Sequence, residues 1–272
     1  MNILTIQNTI NFKRGLSSKI IFEEKCINPT KVEEFFAKNY NLEAQFNLNK
    51  TSAFTNKLCA KIFKDLSQKL GLQFVFPPAI IQYQKENLID SNSALNFCIP
   101  DTKEVLSNDY PFLGRSIFFG NNLNLFDTNL MTECQYKNKQ TSSPHFLASY
   151  IHEWIHSLQL DLIFKKFGYG GECKYLNTIY PVKNKKISGY DMLQELKGKK
   201  LSNTENLIIY DILGEYSTKP CNQYLEVFSE TFTKFICESL SGYELRCNPL
   251  ELINRTPKEF QKILKKVCAS TQ

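Results

Sequence analysis

His152-Glu153-Trp154-Ile155-His156 is the stretch on which the reading of this chain turns. It spells HExxH and uses two of the three histidines found in 272 residues. Residues four apart lie on one face of a helix, so both imidazoles would point the same way. Two imidazoles on one rigid face can hold a zinc ion, and the carboxylate of Glu153 between them can take a proton from water at the metal. The flanks suit a helix facing the interior: Tyr150, Ile151, Trp154, Ile155, Ser157 and Leu158 carry no charge, and no proline interrupts them. Ser143 followed by Pro144 is a cap and first-turn pair, which predicts a helix from there through Phe164 to a stop at Gly168.

Two histidines leave a catalytic zinc site one protein ligand short. A metzincin pattern would need a glycine at 159 and a histidine at 162, and Gln159 and Leu162 exclude it. His145 stands two helical turns before His152 and reaches the metal only with difficulty. Glu172 and Cys173 follow the Gly168-Tyr169-Gly170-Gly171 turn, on no rigid element. The favoured candidate lies in Tyr224-Leu225-Glu226-Val227-Phe228-Ser229-Glu230-Thr231-Phe232, where Glu226 and Glu230 sit four apart among apolar Leu225, Phe228, Phe232 and Phe235. Either both carboxylates face solvent, or they are buried, which is costly unless something cationic meets them. Beside an HExxH in need of a carboxylate, Glu226 is the expected third ligand. Glu230 is then the acceptor that orients an imidazole.

Composition narrows the classes. Hydrophobic content of 42% and aromatic content of 13% belong to a folded protein with a ring-rich core and exclude a disordered one. A net charge of +6 comes largely from scattered lysines such as Lys183, Lys185, Lys186, Lys197, Lys199, Lys200, Lys265 and Lys266, with no basic–aromatic motif, so no nucleic-acid partner is expected. Nine cysteines at irregular spacing, without a CxxC, argue against a disulfide scaffold and a cysteine zinc knuckle, and for reduced thiols. Met1-Asn2-Ile3-Leu4-Thr5-Ile6 does not open a Sec-type signal, and no apolar run approaches the ~18 residues of a membrane span. The expectation is a soluble protein, cytoplasmic or delivered into a host cell by a non-Sec route.

Along the chain, residues 1–72 read as a helical region packed on a catalytic domain at 73–272. Asn28-Pro29 starts a helix carrying Val32, Phe35 and Phe36, and Thr51 to Leu70 is a second helix stopped by Gly71. Between Gln73 and Asp127 the period changes. Gln73 to Phe76, Ile80 to Tyr83, Ser116 to Gly120 and Leu123 to Phe126 predict a small mixed sheet, with Pro77-Pro78 as a break and Asn121-Asn122 as a turn. The Ser116 to Phe126 part could align an extended peptide as an added strand. Thr128 to Ser143 reads as a polar loop, and 172–200 as loops with a short helix around Met192-Leu193. Ser202 and Glu205 make a capping box, a helix runs from near Cys221 to about Leu240, and Thr256-Pro257 opens the last one. The class is α+β, predominantly helical.

HExxH followed by a distant Glu226-Val227-Phe228-Ser229-Glu230 resembles the gluzincin peptidases of the anthrax lethal factor type, in which the glutamate opening such a run is the third zinc ligand. Thr256-Pro257-Lys258-Glu259-Phe260 is similar to the proline-led helix that closes those domains. The likeness covers about residues 110–268 and is loose outside the two motifs. It implies a zincin-like fold, Zn2+ as cofactor and a catalytic tyrosine shortly before the glutamate helix. Tyr216 is favoured for that role because it precedes the helix; Tyr224 stands only two residues before Glu226. The chain departs from the pattern in the separation of 226 − 156 = 70 from His156 to Glu226, which implies an insertion at roughly 170–205. Thermolysin-like and aminopeptidase-like gluzincins fit worse, since Tyr175 stands where the latter would place a glutamate.

The function so implied is a zinc metalloendopeptidase acting on a protein or peptide substrate, as a secreted effector or toxin or as a housekeeping enzyme. The rival reading is a catalytically inactive zinc-bearing binding protein, and a third makes HEWIH a coincidence inside a helical core. Oligomeric state is left open.

Overall fold

Ser17, Asn28, Asn49, Asn124, Ser202 and Asn248 each accept a hydrogen bond from a backbone N–H in the turn that follows, and so set where six helices begin. Pro29 and Pro249 occupy the first turn of two of them. The computed structural model describes residues 16–71, 77, 79–82, 96–97, 117–119, 123–166, 180–182, 185–187, 201–219 and 223–271. In chain order the elements are α1 (Ser18–Cys26), α2 (Pro29–Tyr40), β1 (Glu43–Gln45), α3 (Lys50–Leu70), β2 (Ala79–Gln82), β3 (Asn96–Phe97), β4 (Ile117–Phe119), α4 (Leu125–Lys137) and α5 (Ala148–Lys166). There follow β5 (Tyr180–Val182), β6 (Lys185–Ile187), α6 (Asn203–Leu213), a 3-10 turn (Tyr216–Thr218), α7 (Gln223–Ser239), β7 (Leu240–Ser241), β8 (Glu244–Leu245), α8 (Pro249–Asn254) and α9 (Lys258–Thr271). The architecture is α+β, mostly helical with a small sheet.

The main sheet has the order β1-β2-β4-β3, with β1, β2 and β4 parallel and β3 antiparallel to β4. Ile80 pairs with Ile117 across its centre, and both are fully buried. Phe119 stacks on Phe46 at 6.1 Å and meets Tyr150 of α5 at 6.3 Å, so rings weld the sheet to the helix that carries HExxH. On its other side α5 packs on α3: Trp154 lies 5.2 Å from Phe63, and its indole Nε1 donates to Asn56 Oδ1 at 3.0 Å. Asn56 is held in turn by a 2.9 Å bond from its Nδ2 to Ser52 O, which satisfies two buried polar groups at once. One apolar core runs from Ile20 and Phe36 through Phe63 and Trp154 to Phe235 and Phe260. Among the described residues no helix is long and apolar enough to cross a membrane.

Several expectations are corrected. Leu123 to Phe126 is not a strand and 128–137 is not a loop: α4 occupies Leu125–Lys137. Its Thr128 and Thr132 hydroxyls donate to carbonyls four residues back, and Asn129 Nδ2 donates to Glu133 Oε1 at 3.1 Å. Polar groups satisfied within the helix erase the apolar periodicity that would have announced it. Ser143 does not cap α5, which begins at Ala148. Its Oγ accepts from the His145 N–H instead, and His145 accepts from Leu147 and Ala148 through Nδ1 and its carbonyl. β4 lies between β2 and β3, so the outer edge on that side is β3 and not the 116–126 stretch. β5 and β6 form an antiparallel hairpin where loops were expected, and α8 was not foreseen. The strand at 73–76, the turns at 121–122 and 168–171 and the helix around Met192-Leu193 fall outside the described residues.

Candidate metal centre

Helical spacing puts His152 and His156 on one face of α5, with ring centroids 4.5 Å apart and planes nearly perpendicular. α7 lies against that face. Of the buried side chains of α7, Val227, Phe228, Phe235 and Ile236 are apolar and Ser229, Thr231, Thr233 and Ser239 are small hydroxyls, so Glu226 and Glu230 are its buried carboxylates and face the histidines. Glu226 Oε2 is 3.2 Å from His152 Nε2 and 3.5 Å from His156 Nε2. One turn on, Glu230 Oε1 is 3.1 Å from His152 Nδ1. One ligand atom from each of His152, His156 and Glu226 lies within 4.8 Å of the others.

Whether a cation suits these residues is decided by spacing and by unmet polar need. A tetrahedral zinc with bonds of about 2.0–2.1 Å spaces its ligands by roughly 3.4 Å, and the contacts of Glu226 with the two rings bracket that value. Among the described residues Glu226 Oε2 is buried and, despite those short distances, receives no N–H aimed along a hydrogen bond; the same holds for Glu153 Oε2. An unmet buried carboxylate oxygen facing two imidazoles is costly as it stands, and two nitrogens with one oxygen are a zinc donor set. The residues fit the ion.

The electrostatics agree. Burial alone would depress His152, but the Glu230 and Glu226 carboxylates overcome it and hold the ring well above the ordinary histidine range. Burial would raise Glu226, yet His156 and His152 drive its carboxyl far below the usual carboxylate range. Two carboxylates around one imidazole thus call for a positive charge, which a proton supplies in the metal-free chain and a divalent ion can supply in its place. Glu153 behaves differently. Burial raises its pKa, and the histidines only partly offset this.

Neighbours outside the two motifs hold the group in place. Gln159 Oε1 lies 3.2 Å from His156 Nδ1 and so directs Nε2 of that ring toward Glu226. Ser142 N–H donates to Glu230 Oε2 at 2.9 Å, and Ser142 Oγ donates to Glu230 O at 3.0 Å, tying the segment before α5 to α7. The i, i+3 spacing of His156 and Gln159 was visible in sequence; the contact made by Ser142 was not. Tyr216 stands on the 3-10 turn, its ring half-buried with its centroid 6.1 Å from that of His152. The side chain of Tyr224, together with Glu172 and Cys173, falls outside the described residues. His145 is not part of the group: its Nε2 lies 3.3 Å from Gly242 O and its ring stacks on Phe146.

Set beside protein-family models, curated proteins and solved structures, the chain finds no match, so the site must be read from its own geometry.

Proposed function

We propose that the chain is a zinc-dependent endopeptidase with a zincin-like catalytic domain, as the resemblance of its two motifs to the lethal factor type suggests. The observation that carries the reading is the convergence of His152, His156 and Glu226 within 4.8 Å, with buried Glu153 on the same helix. His152, His156 and Glu226 would hold the ion, which when bound supplies Lewis acidity toward water and a peptide carbonyl. Glu153 takes the proton from the attacking water and returns it to the leaving amine, a role that suits a carboxylate whose pKa burial has raised. Glu230 and Gln159 keep the two imidazoles turned toward the ion through their Nδ1 atoms. Tyr216, whose ring centroid lies 6.1 Å from that of His152, would donate a hydrogen bond to the oxyanion that develops on the substrate.

The test is Glu153→Gln. It should retain one zinc per chain by elemental analysis and lose at least about a thousandfold of its hydrolysis of a quenched fluorescent peptide library. Cleavage at the wild-type rate would refute the mechanism, and a purified wild-type chain without zinc, even after reconstitution, would refute the metal.

A further inference from the structure

On the side of α3 away from the metal centre, α1, α2, α3 and the turn between β7 and β8 enclose a cleft of about 890 Å³. Its lining is aromatic, with Phe22, Phe35 and Tyr243, and Phe22 at the mouth is left 68% exposed. Lys57, Lys61 and Lys64 follow one another along its α3 wall at steps of four and three residues, which places them in a row about 10 Å long. Two of the ammonium groups lie over the rings: Lys57 Nζ is 5.6 Å from the Phe35 centroid and Lys61 Nζ is 4.9 Å from that of Tyr243. Lys19 adds a fourth ammonium over Tyr243 at 5.6 Å. The acid lining the cleft, Glu23, is engaged by the Tyr243 hydroxyl at 3.3 Å and by Lys19 at 3.9 Å, and Glu244 at the rim stands 3.6 Å from Lys61.

We propose that this cleft is a docking site for an amphipathic helix of a partner protein, with apolar residues on one face and carboxylates along one flank. A bare phenyl ring at the mouth of a concave apolar cleft matches the helix-in-groove mode. The lysine row spans two turns of such a helix, so acids at i, i+4 and i+7 of the partner would face it in register. Concavity favours a helix over a lipid surface, which would be met by a protruding ring on a convex face. The cleft shares no residue with the metal centre, and the inference stands whether or not the chain is a peptidase.

The experiment is fluorescence anisotropy with the full chain and two fluorescein-labelled 18-residue helical peptides of leucine and alanine, one with glutamates and one with lysines along the flank. The glutamate peptide should bind saturably, and the lysine peptide at least about tenfold more weakly. Phe22→Asp should weaken binding of the glutamate peptide at least about tenfold. Lys57→Glu/Lys61→Glu/Lys64→Glu should do the same and should improve binding of the lysine peptide. All four positions are exposed or at the cleft mouth, so circular dichroism should show folding unchanged. The proposal is overturned by no saturable binding, by equal binding of the two peptides or by indifference to Phe22→Asp. Displacement of the peptide by anionic phosphatidylglycerol vesicles, or by self-association of the chain, would reassign the surface and overturn it too.

Discussion

Ser229 Oγ donates a 2.7 Å hydrogen bond to the carbonyl oxygen of His152, and both residues are buried. This bond joins α7 to α5 at the level of the candidate metal centre and sets the register in which Glu226 and Glu230 flank the His152 ring. Ser229→Ala should cost about 1 kcal/mol, a fall of a few degrees in Tm by calorimetry, with zinc retained. Ser229→Leu should cost about 1–3 kcal/mol more by overfilling a site with no free space, and should lower zinc stoichiometry as Glu226 is pushed away. Full zinc loading in the leucine variant would show that the register is set elsewhere.

Gln159 is 1% exposed and has His156 Nδ1 within 3.2 Å. Replacing it with leucine removes the acceptor and should weaken zinc binding about 10–100-fold in competition with a chromophoric chelator, with helix content unchanged. Gln159→Glu keeps an acceptor and should retain most of the affinity. Equal affinity in the leucine variant and wild type would sink the orienting role.

Gly214 has φ 98, and a Cβ there would lie 2.5 Å from the carbonyl oxygen of Lys139. The Glu215 N–H donates to that same carbonyl at 2.6 Å, so the glycine allows the close approach that seats the Tyr216 turn. Gly214→Ala should destabilise by about 1–3 kcal/mol and, on the proposed mechanism, lower kcat more than zinc affinity by displacing Tyr216. Unchanged Tm and kcat would show the turn to be tolerant.

His145 accepts from the Leu147 N–H through Nδ1 while Nε2 lies 3.3 Å from Gly242 O, an arrangement that a neutral ring protonated on Nε2 satisfies on both sides. Burial lowers its pKa from 6.5 to about 4, with the Gly242 contact opposing. Between those values the unfolded chain binds more protons here than the folded one, so this contribution is fully present above pH 6.5 and is lost as pH falls toward 4. Its size is on the order of 1 kcal/mol, discounted for partial exposure of the ring. The measurement is urea unfolding of metal-free chain at several pH values, and His145→Gln should flatten the slope in that window. An unaltered slope would mean that the acid sensitivity arises from other groups.

Legibility followed the range of the interaction. Helices whose caps and apolar stripes are local, such as α2 with Asn28-Pro29 and Val32, α3 with its Gly71 stop in the left-handed region, and α6 with its Ser202–Glu205 box, could be read directly. α4 was hidden because its polar groups are met inside the helix, Thr128 and Thr132 by the carbonyls of Asn124 and Thr128 and Glu133 by Asn129, and leave no stripe. The start of α5 was misplaced because Ser143 has the chemistry of a cap but spends its oxygen on the turn at His145, while Ser142 beside it is claimed by Glu230. The expected edge role of the 116–126 stretch failed for a similar reason: pairing with a strand as short as Asn96–Phe97 leaves little trace in sequence.

What the sequence determined by itself was the pairing of His152 with His156 and the placing of Glu153 between them, since 3.6 residues per turn permits no other arrangement on a helix. It also showed two carboxylates four apart on a largely apolar helix, a pattern that needs a cation only if both are buried, and their burial was decided by the packing. Tertiary structure decided which atoms meet. The crossing of α5 and α7 presents Glu226 to Nε2 of both rings and Glu230 to Nδ1 of one, although Glu226 lies 70 positions beyond His156 in the chain. Local chemistry can name the residues that need one another; only packing, through contacts such as Ser229 on His152, settles the distances between them.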